Sequence, residues 1–470
     1  MSGTSGFKGS GITDPFLTPD APTITGVSGD IGSADVTFTA PADTGGAAID
    51  SYVITAKQSD GTSVSATASA AGTTTVAMTA GGTTTFAAQA LNKYGAGQFS
   101  GFSNSTNISG GLELYAAGGP LDSVRRGVLG LNDNIQYSSP VQVGALGNWR
   151  DVDLLSSTTV ARKTDGTLWA WGIGTGGFTG QDDVVSRSSP VQVGALTNWA
   201  DIANASGTWL AIKTDGTLWA CGSNASGCAG QNNLIGYSSP VQIGSETDWS
   251  RVFGGSSNWW AIKTDGTLYA CGYNLSGRLG DNTIINRSSP VQIGSGTWSL
   301  VSGMVQVFAV STAGELWVWG NEPKGEAGLN TRDVDRSSPV QVGALTNWNG
   351  DIAAVSEASY AVKEDGTLWS WGSAQNGRLG NNSTTVSRSS PVQVGALATW
   401  SKVTGGGTGT AAVKTDGTLW GWGENSGQYR INNLTFASSP VQTGSDTDWF
   451  DVTMPRNSAN DRTILITKLA

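Results

Sequence analysis

The sequence predicts an all-β protein: a small β-sandwich followed by a seven-bladed β-propeller that N- and C-terminal half-blades close. Three observations predict it. The pentad Ser-Ser-Pro-Val-Gln occurs seven times, with its proline at Pro140, Pro190, Pro240, Pro290, Pro339, Pro391 and Pro440, and a tryptophan follows each one (Trp149, Trp199, Trp249, Trp298, Trp348, Trp400, Trp449). A fixed period near 50 residues means one supersecondary unit used again and again. Within the units Asp-Gly separates two apolar runs, a strong hairpin signal because glycine accepts positive φ without steric cost. The composition agrees: 67 Gly, only 13% charged residues and abundant Ser, Thr and Asn suit short strands and many turns better than helices.

Taken in order, residues 1–19 form a Gly/Ser/Thr-rich segment with Phe7, Ile12, Phe16 and Leu17 scattered through it. It is too poor in apolar residues to fold alone. It reads either as a flexible leader or as an arm that orders on docking to a larger assembly, with those four residues as anchors. Residues 20–109 change to short alternating runs, ADVTFTAP, SYVITAKQ, SVSATA, TTVAMTA and TTFAAQALN, separated by turn signals. Strands at this spacing predict a small sandwich. The stretches PADTGGAAIDSYVITA and TTTFAAQALNKYGAGQFSGFS resemble a fibronectin type III domain. The resemblance implies that Tyr52 is the core tyrosine of the third strand and that Phe86, Ala90, Asn92, Gly95 and Gly97 form the closing motif. Phe38 stands where that family usually has a core tryptophan, and it still fills a core. Such a domain usually acts as a spacer or adhesive module.

Residues 110–470 are the repeat array. Each unit reads as a strand such as LAIK, a turn at Thr-Asp-Gly, a second strand such as TLWAWG, an Asn/Gly-rich loop, and SSPVQVG leading to the next tryptophan. Small antiparallel sheets arranged around an axis make a propeller. The first unit begins midway, where Leu114 and Tyr115 correspond to Leu168 and Trp169, and the last stops midway, with ILITK at 464–468. Two half-units at opposite ends predict one composite blade that closes the ring. The stretches DGTLYACGYNLSGRLGDN at 265–282 and DGTLWSWGSAQNGRLGNN at 365–382 resemble the repeat of the RCC1 family. That resemblance implies a propeller. It also implies, for the eponymous members, guanine-nucleotide exchange and chromatin docking, for which a basic tail is expected. The first 110 residues instead carry three Lys, no Arg and seven Asp.

Composition also narrows function. A net charge of −10 and a pI near 4.6 repel phosphate backbones and anionic lipid, so nucleic acid is not an expected partner. No apolar run is long enough to span a membrane. The chain has no histidine, which removes Ser-His-Asp, Cys-His and His-ligated metal chemistry. Asp165, Asp215, Asp265, Asp365 and Asp416 all sit in Asp-Gly turns and read as turn formers. Cys221, Cys228 and Cys271 read as small buried hydrophobes, the first and last of them standing where Trp171 stands in the first full unit. No enzyme, cofactor or metal site is expected.

If the units are scaffold, function lies where they differ. The residue before Ser-Ser-Pro is Tyr137, Arg187, Tyr237, Arg287, Arg336, Arg388 or Ala437. Tyr and Arg are enriched at binding hot spots, although a solvated loop rim reads equally from the pattern. Thr159 becomes Trp209 and Trp259 in the next two units; these read either as an exposed apolar patch or as core. The near-identical units, the acidic Ser/Thr/Asn/Gly-rich surface and the docking segment together resemble virion structural proteins of bacteriophages. The resemblance implies anchoring to other virion subunits by the N-terminal arm and binding of a host-surface glycan or protein, or of a neighbouring subunit, by the propeller. The alternative is a secreted propeller that binds or inhibits a partner protein; nucleotide exchange is a third.

Overall fold

The computed structural model describes every residue other than 1–16, 31–32, 59–62, 79–81, 104–105, 109–110, 119–126, 134, 145–146, 156–157, 323, 333, 349, 356, 407–408, 425–435, 455–462 and 470. Phe7, Ile12 and Phe16 therefore lie outside the described residues. The chain forms two compact units, Met1–Gly111 and Leu112–Leu469. The architecture is all-β with a propeller, and the only helical elements among the described residues are two single 3₁₀ turns.

In the first unit two sheets share one core. One runs in the order Thr23–Asp30, Ser33–Thr39, Gly72–Ala77; the other runs Ser63–Ala68, Ile49–Gln58, Gly82–Asn92, Gly95–Phe99, with Thr106–Ile108 also paired to Gly82–Asn92. Alternation along Ser33–Thr39, Ile49–Gln58 and Gly82–Asn92 sends Val36, Phe38, Tyr52, Ile54 and Phe86 inward, as a period of two requires. Phe38 and Tyr52 meet at 5.1 Å, so the phenylalanine fills the place expected of a larger ring. Asn92 closes this unit: its Nδ2 donates to the carbonyls of Leu17 (3.0 Å) and Thr44 (2.8 Å), and its Oδ1 accepts from Tyr94 N. Gly97 is required nearby because a Cβ there would lie 2.1 Å from the Pro19 carbonyl. Leu17 is thus tied by its backbone to the sandwich, while its side chain is exposed.

Among the described residues the second unit comprises five four-stranded antiparallel sheets and one eight-stranded sheet. In a representative four-stranded sheet the strands are Trp199–Asn204, Thr208–Lys213, Leu218–Gly222 and Tyr237–Gln242. The first strand of each sheet lies against the first strand of the next, and Trp449–Thr453 lies against Trp149–Leu155. The eight-stranded sheet joins the ends of the array: Ile464–Leu469 pairs antiparallel with Leu112–Gly118 from Ile464↔Ala117 to Leu469↔Leu112.

Each hairpin turn is built as its sequence dictates. Asp215 Oδ1 accepts from Thr217 N (3.0 Å) and Thr217 Oγ1 (2.6 Å), and that same hydroxyl accepts the Trp219 indole N–H at 2.8 Å. The arrangement recurs at Asp165, Asp365 and Asp416. The hydrogen bonds from Thr hold Asp215, Asp265, Asp365 and Asp416 below the usual carboxylate range.

The Ser-Ser-Pro segment explains the repetition of the pentad. The pairing of Leu218–Gly222 with Tyr237–Gln242 jumps from Ala220↔Val241 to Gly222↔Tyr237, leaving the proline in a bulge where a missing N–H is harmless. The bulge presses on the preceding sheet's loop: Asp182 N donates to Ser238 O, Asn232 N to Ser288 O and Asn282 N to Ser337 O at 2.6–2.8 Å. Those acceptor-facing residues have φ of 54–61°, a conformation Asn and Asp tolerate better than other side chains. A glycine in the same loop lets the segments approach: at Gly227, φ +84°, a Cβ would lie 2.7 Å from Ser288 Cα. Gly227→Ala is expected to destabilise the chain by on the order of 2–3 kcal/mol through clash and strain. Gly244→Ala, at φ +63° but facing open space, should cost only the conformational term, about 1 kcal/mol. Urea denaturation of both variants checks the ordering; equal losses would refute the close-approach argument.

Candidate functional site

The two tryptophans singled out as a surface patch are in the core. Trp209 and Trp259 are 1% and 0% exposed, which corrects the reading of them as a binding patch. The cause lies in a cross-strand exchange. Trp209 faces Cys221 and Trp259 faces Cys271, whereas elsewhere Thr159 faces Trp171, Val307 faces Trp319, Ser359 faces Trp371 and Thr410 faces Trp422. Every pair contains one indole and one smaller residue. Whichever strand carries it, the indole N–H crosses to a loop carbonyl of the preceding sheet: Trp171 to Val128, Trp209 to Phe178, Trp259 to Cys228, Trp319 to Arg278, Trp371 to Glu326 and Trp422 to Arg378, at 2.6–3.0 Å. Cys221 and Cys271 take the vacated side of the pair, and Cys228 lies in the loop whose carbonyl accepts from Trp259. All three are buried and unpaired as disulfides, and burial pushes the Cys221 and Cys228 thiols up to about 12, far from nucleophilic reactivity.

The rim residues brace their own loops. Tyr137 Oη donates to Asp133 Oδ2 at 2.5 Å, Arg187 pairs with Asp183 at 2.7 Å, Arg287 pairs with Asp281 at 2.7 Å, Asn233 Nδ2 donates to Tyr237 Oη at 3.0 Å, and Arg336 donates to Thr331 Oγ1 at 3.3 Å. Arg388 is exposed and lines a groove with Leu397, Trp400 and Trp420. Tyr and Arg at this position are therefore chosen at least in part to close a loop, and the structure does not gather them into one site.

Where the first strands converge, they line an axial channel of about 240 Å³. Asp151, Asp201, Arg251, Asp351, Lys402 and Asp451 face it. Sequence reasoning missed these residues, although most lie two positions after a repeat tryptophan, in Trp-x-Asp-Val or its variants. Several have a structural task. Asp201 Oδ2 accepts Val252 N at 2.8 Å and Asp351 Oδ2 accepts Val403 N at 2.9 Å, so each satisfies an edge N–H of the next sheet. Asp151 is held by Arg162 at 2.5 Å and 3.2 Å. Burial, with repulsion from Asp151, raises Asp201 to about 6. Burial also raises Asp451, and Asp451 with Asp351 raises Lys402.

The second recurring feature is a lysine over two aromatic rings, repeated near the boundary with the preceding sheet. Lys213 Nζ lies 3.6 Å from the Trp219 ring and 5.0 Å from Trp199, and the two rings stand edge to face. Lys163, Lys363 and Lys414 do the same over Trp149 and Trp169, Trp348 and Trp369, and Trp400 and Trp420. A groove of about 430 Å³ opens beside Lys213, walled by Trp199, Trp219 and Pro240 of the same sheet and by Val193 and Leu196 from the segment that leads into it. Its counterpart beside Leu397, Trp400, Trp420 and Pro440 measures about 390 Å³. Among the described residues no group of three or more Cys, Asp and Glu could hold a metal ion, and no helix is long and apolar enough to cross a membrane.

Comparison with known proteins places this geometry in context. Residues 365–413 match the regulator of chromosome condensation (RCC1) repeat. The ultraviolet-B receptor of Arabidopsis thaliana is 31% identical over 150 residues, 30% of this chain and 33% of the receptor. A mitochondrial RCC1 domain-containing protein of the same plant is 31% identical over 128 residues, 27% of this chain and 28% of that protein. The chain thus matches about a third or less of these relatives' length. Among solved structures, human WBSCR16 superposes with a TM-score of 0.66 at 16% identity, covering 77% of this chain and 99% of that one. Yeast RCC1 (Prp20) bound to Kap60 gives 0.65 at 16% identity, covering 76% and 89%. The second unit is an RCC1-like β-propeller in fold.

Two outcomes are expected. Trp209→Thr alone removes a buried ring and orphans the Phe178 carbonyl, a loss of about 3–5 kcal/mol; adding Cys221→Trp restores the pair found at Thr159 and Trp171 and recovers most of it in a thermal melt. No recovery would sink the exchange. Asp201→Asn keeps the acceptor for Val252 N and removes the titration. The folded pKa of Asp201 lies above its unfolded value, so its stabilisation is full below pH about 3.8 and is lost as pH rises through about 6. Wild type should lose on the order of 1 kcal/mol relative to D201N between pH 4 and 7, allowing for solvent screening at the channel mouth; a pH-independent difference in urea midpoint would contradict this.

Proposed function

We propose that the chain is a non-enzymatic recognition protein of a bacteriophage virion, a tail, fibre or capsid-decoration component whose N-terminal part anchors it and whose propeller meets a host surface or a neighbouring subunit. The carrying observation is the repetition of one surface groove at equivalent places around the array, a geometry suited to multivalent contact and not to a single reaction centre. Counting the eight-stranded sheet as two blades, one of them shared between the termini, gives a seven-bladed ring. The order of the seven main strands in the first unit, three in one sheet and four in the other, with the Asn92, Gly95 and Gly97 close, supports a fibronectin type III-like spacer.

Other observations favour recognition over catalysis. The histidine-free chain places the turn acids Asp215, Asp265, Asp365 and Asp416 in hydrogen bonds to threonine, and Asp201 and Asp351 in backbone hydrogen bonds. The structurally similar Prp20p of Saccharomyces cerevisiae binds Gsp1p and histones, which supports protein recognition by a propeller of this shape; the acidic charge of this chain argues against nucleic acid.

Mass spectrometry and cryo-microscopy of purified particles from the native source test the proposal. The expected result is stoichiometric retention of the chain through density-gradient purification, with averaged density for the propeller. Recovery only as a free monomer from culture medium would overturn the virion assignment in favour of a secreted partner-binding protein.

A further inference from the structure

The lysines over paired rings fall into two classes. Lys163, Lys213, Lys363 and Lys414 are only 6–8% exposed, and among the described residues their ammonium groups form no ion pair and donate no hydrogen bond. Burial holds each below the usual lysine range. The turn aspartates Asp165, Asp215, Asp365 and Asp416 offset this only in part and without a direct ion pair; a desolvated cation with no paired anion is unfavourable, and the two rings beside each compensate only in part.

In two other units the chain supplies the missing anion itself. Lys263, over Trp249 and Tyr269, pairs with Glu246 at 2.8 Å and Asp248 at 3.3 Å. Lys468, beside Trp449 and Tyr115, pairs with Asp448 at 2.8 Å. Burial lowers Lys263, but the hydrogen bonds it donates to Glu246 and Asp248 outweigh it and hold the group above the ordinary range; the bond Lys468 donates to Asp448 does the same for that lysine.

The sequence difference behind the two classes is local. The residue before the repeat tryptophan is Asp248 or Asp448 in the self-paired units, and Asn148, Asn198, Asn347 or Thr399 in the unpaired ones. Two positions earlier, Glu246 and Asp446 are replaced by leucines, of which Leu196, Leu345 and Leu397 are about half exposed. Where the carboxylates are missing, an exposed apolar side chain takes their place beside a bare buried cation.

We infer that these grooves are docking sites for an acidic and apolar peptide segment of a partner protein, whose aliphatic side chain covers the leucine and proline while an adjacent carboxylate reaches the lysine as Glu246 does within its own unit. Charge complementarity selects the anion and the lining selects the apolar body. Of the remaining polar groups of the groove beside Lys213, Gln181 Nε2 donates to Gln192 O, Trp219 Nε1 to Thr217 Oγ1, and Asp182 Oδ1 accepts from Ser238 and Ser239, while the Trp199 indole N–H is unpartnered but buried. Little is left to match the hydroxyls of a sugar, so a protein partner fits this groove better than a glycan. The inference rests on reading the propeller as a recognition module and does not depend on where the protein resides.

The test uses the full chain and two fluorescein-labelled peptides, Gly-Ile-Leu-Glu-Gly and its counterpart with Gln for Glu, with binding followed by fluorescence polarisation and by the indole N–H signals of the tryptophans. The Glu peptide is expected to bind about tenfold more tightly than the Gln peptide, a difference of about 1.4 kcal/mol, and to shift the signals of Trp169, Trp219, Trp369 and Trp420. In a variant carrying Asn148→Asp, Asn198→Asp, Asn347→Asp and Thr399→Asp, each lysine gains the internal partner that Lys263 has. That preference should vanish while the melting temperature is held or raised. Equal affinity for the two peptides, no binding of the Glu peptide, or undiminished preference in the folded variant would overturn the inference. So would a galacturonate trimer that shifts these signals where the peptide does not. Peptide binding by a chain absent from particles would remove the virion assignment alone, and a particle-bound chain that ignores the peptide would remove this inference alone.

Discussion

The propeller depends on how one sheet is fastened to the next. Each four-stranded sheet is too small to bury its own faces, and its first strand exposes edge N–H groups that need acceptors. The joint answers both needs. A tryptophan fills the space between sheets and donates its indole N–H to a loop carbonyl of the neighbour, as Trp259 does to Cys228. The first serine of the pentad accepts an N–H from the same neighbouring loop, as Ser288 does from Asn232. Near the axis a carboxylate crosses to the next first strand, as Asp201 does to Val252. Apolar filling and polar satisfaction are thus met by the same contacts, which explains why so many positions recur while the loop between the third and fourth strands varies.

The joint also creates the surface grooves proposed as docking sites. Because the proline of the fourth strand lies beside the aromatic pair of its own sheet, as Pro240 does beside Trp199 and Trp219, and the segment arriving from the preceding sheet adds Val193 and Leu196, a groove accompanies the boundary between sheets. Whether that groove is self-filled or open is then decided by a few side chains that do not carry the fold. Glu246 and Asp248 neutralise Lys263 from within, whereas Leu196 and Asn198 leave Lys213 without an anion. Variation at these positions changes surface chemistry without disturbing the indole contacts behind them.

Closure of the array follows from the same logic applied to its ends. The six-residue register between Ile464–Leu469 and Leu112–Gly118 buries Leu114, Ala116, Leu465 and Ile466, residues that neither half-unit could cover alone. The pairing is long-range in sequence, so its ordering entropy is offset only when the intervening sheets are in place. The sandwich unit is organised more locally, around alternation and the hydrogen bonds of Asn92.

Much of this was legible from the chain. Repetition of the pentad with its trailing tryptophan, the Asp-Gly turns and the half-units at the ends determine an all-β repeat architecture, because local turn chemistry and the period of apolar residues act wherever those residues stand. The role of Asp165, Asp215, Asp265, Asp365 and Asp416 in turns was readable for the same reason. Exposure was not. Trp209 and Trp259 looked anomalous against Thr159, and Cys221 and Cys271 looked anomalous against Trp171, but only pairing across a hairpin shows that the two anomalies are one exchange of volume. The axial carboxylates and the unpaired lysines were likewise invisible as sites, since each unit contributes a single residue and nothing short in sequence marks their convergence. Burial, partner and neighbour are properties of tertiary packing, and at these positions packing alone decided which residues support the structure and which line an open groove.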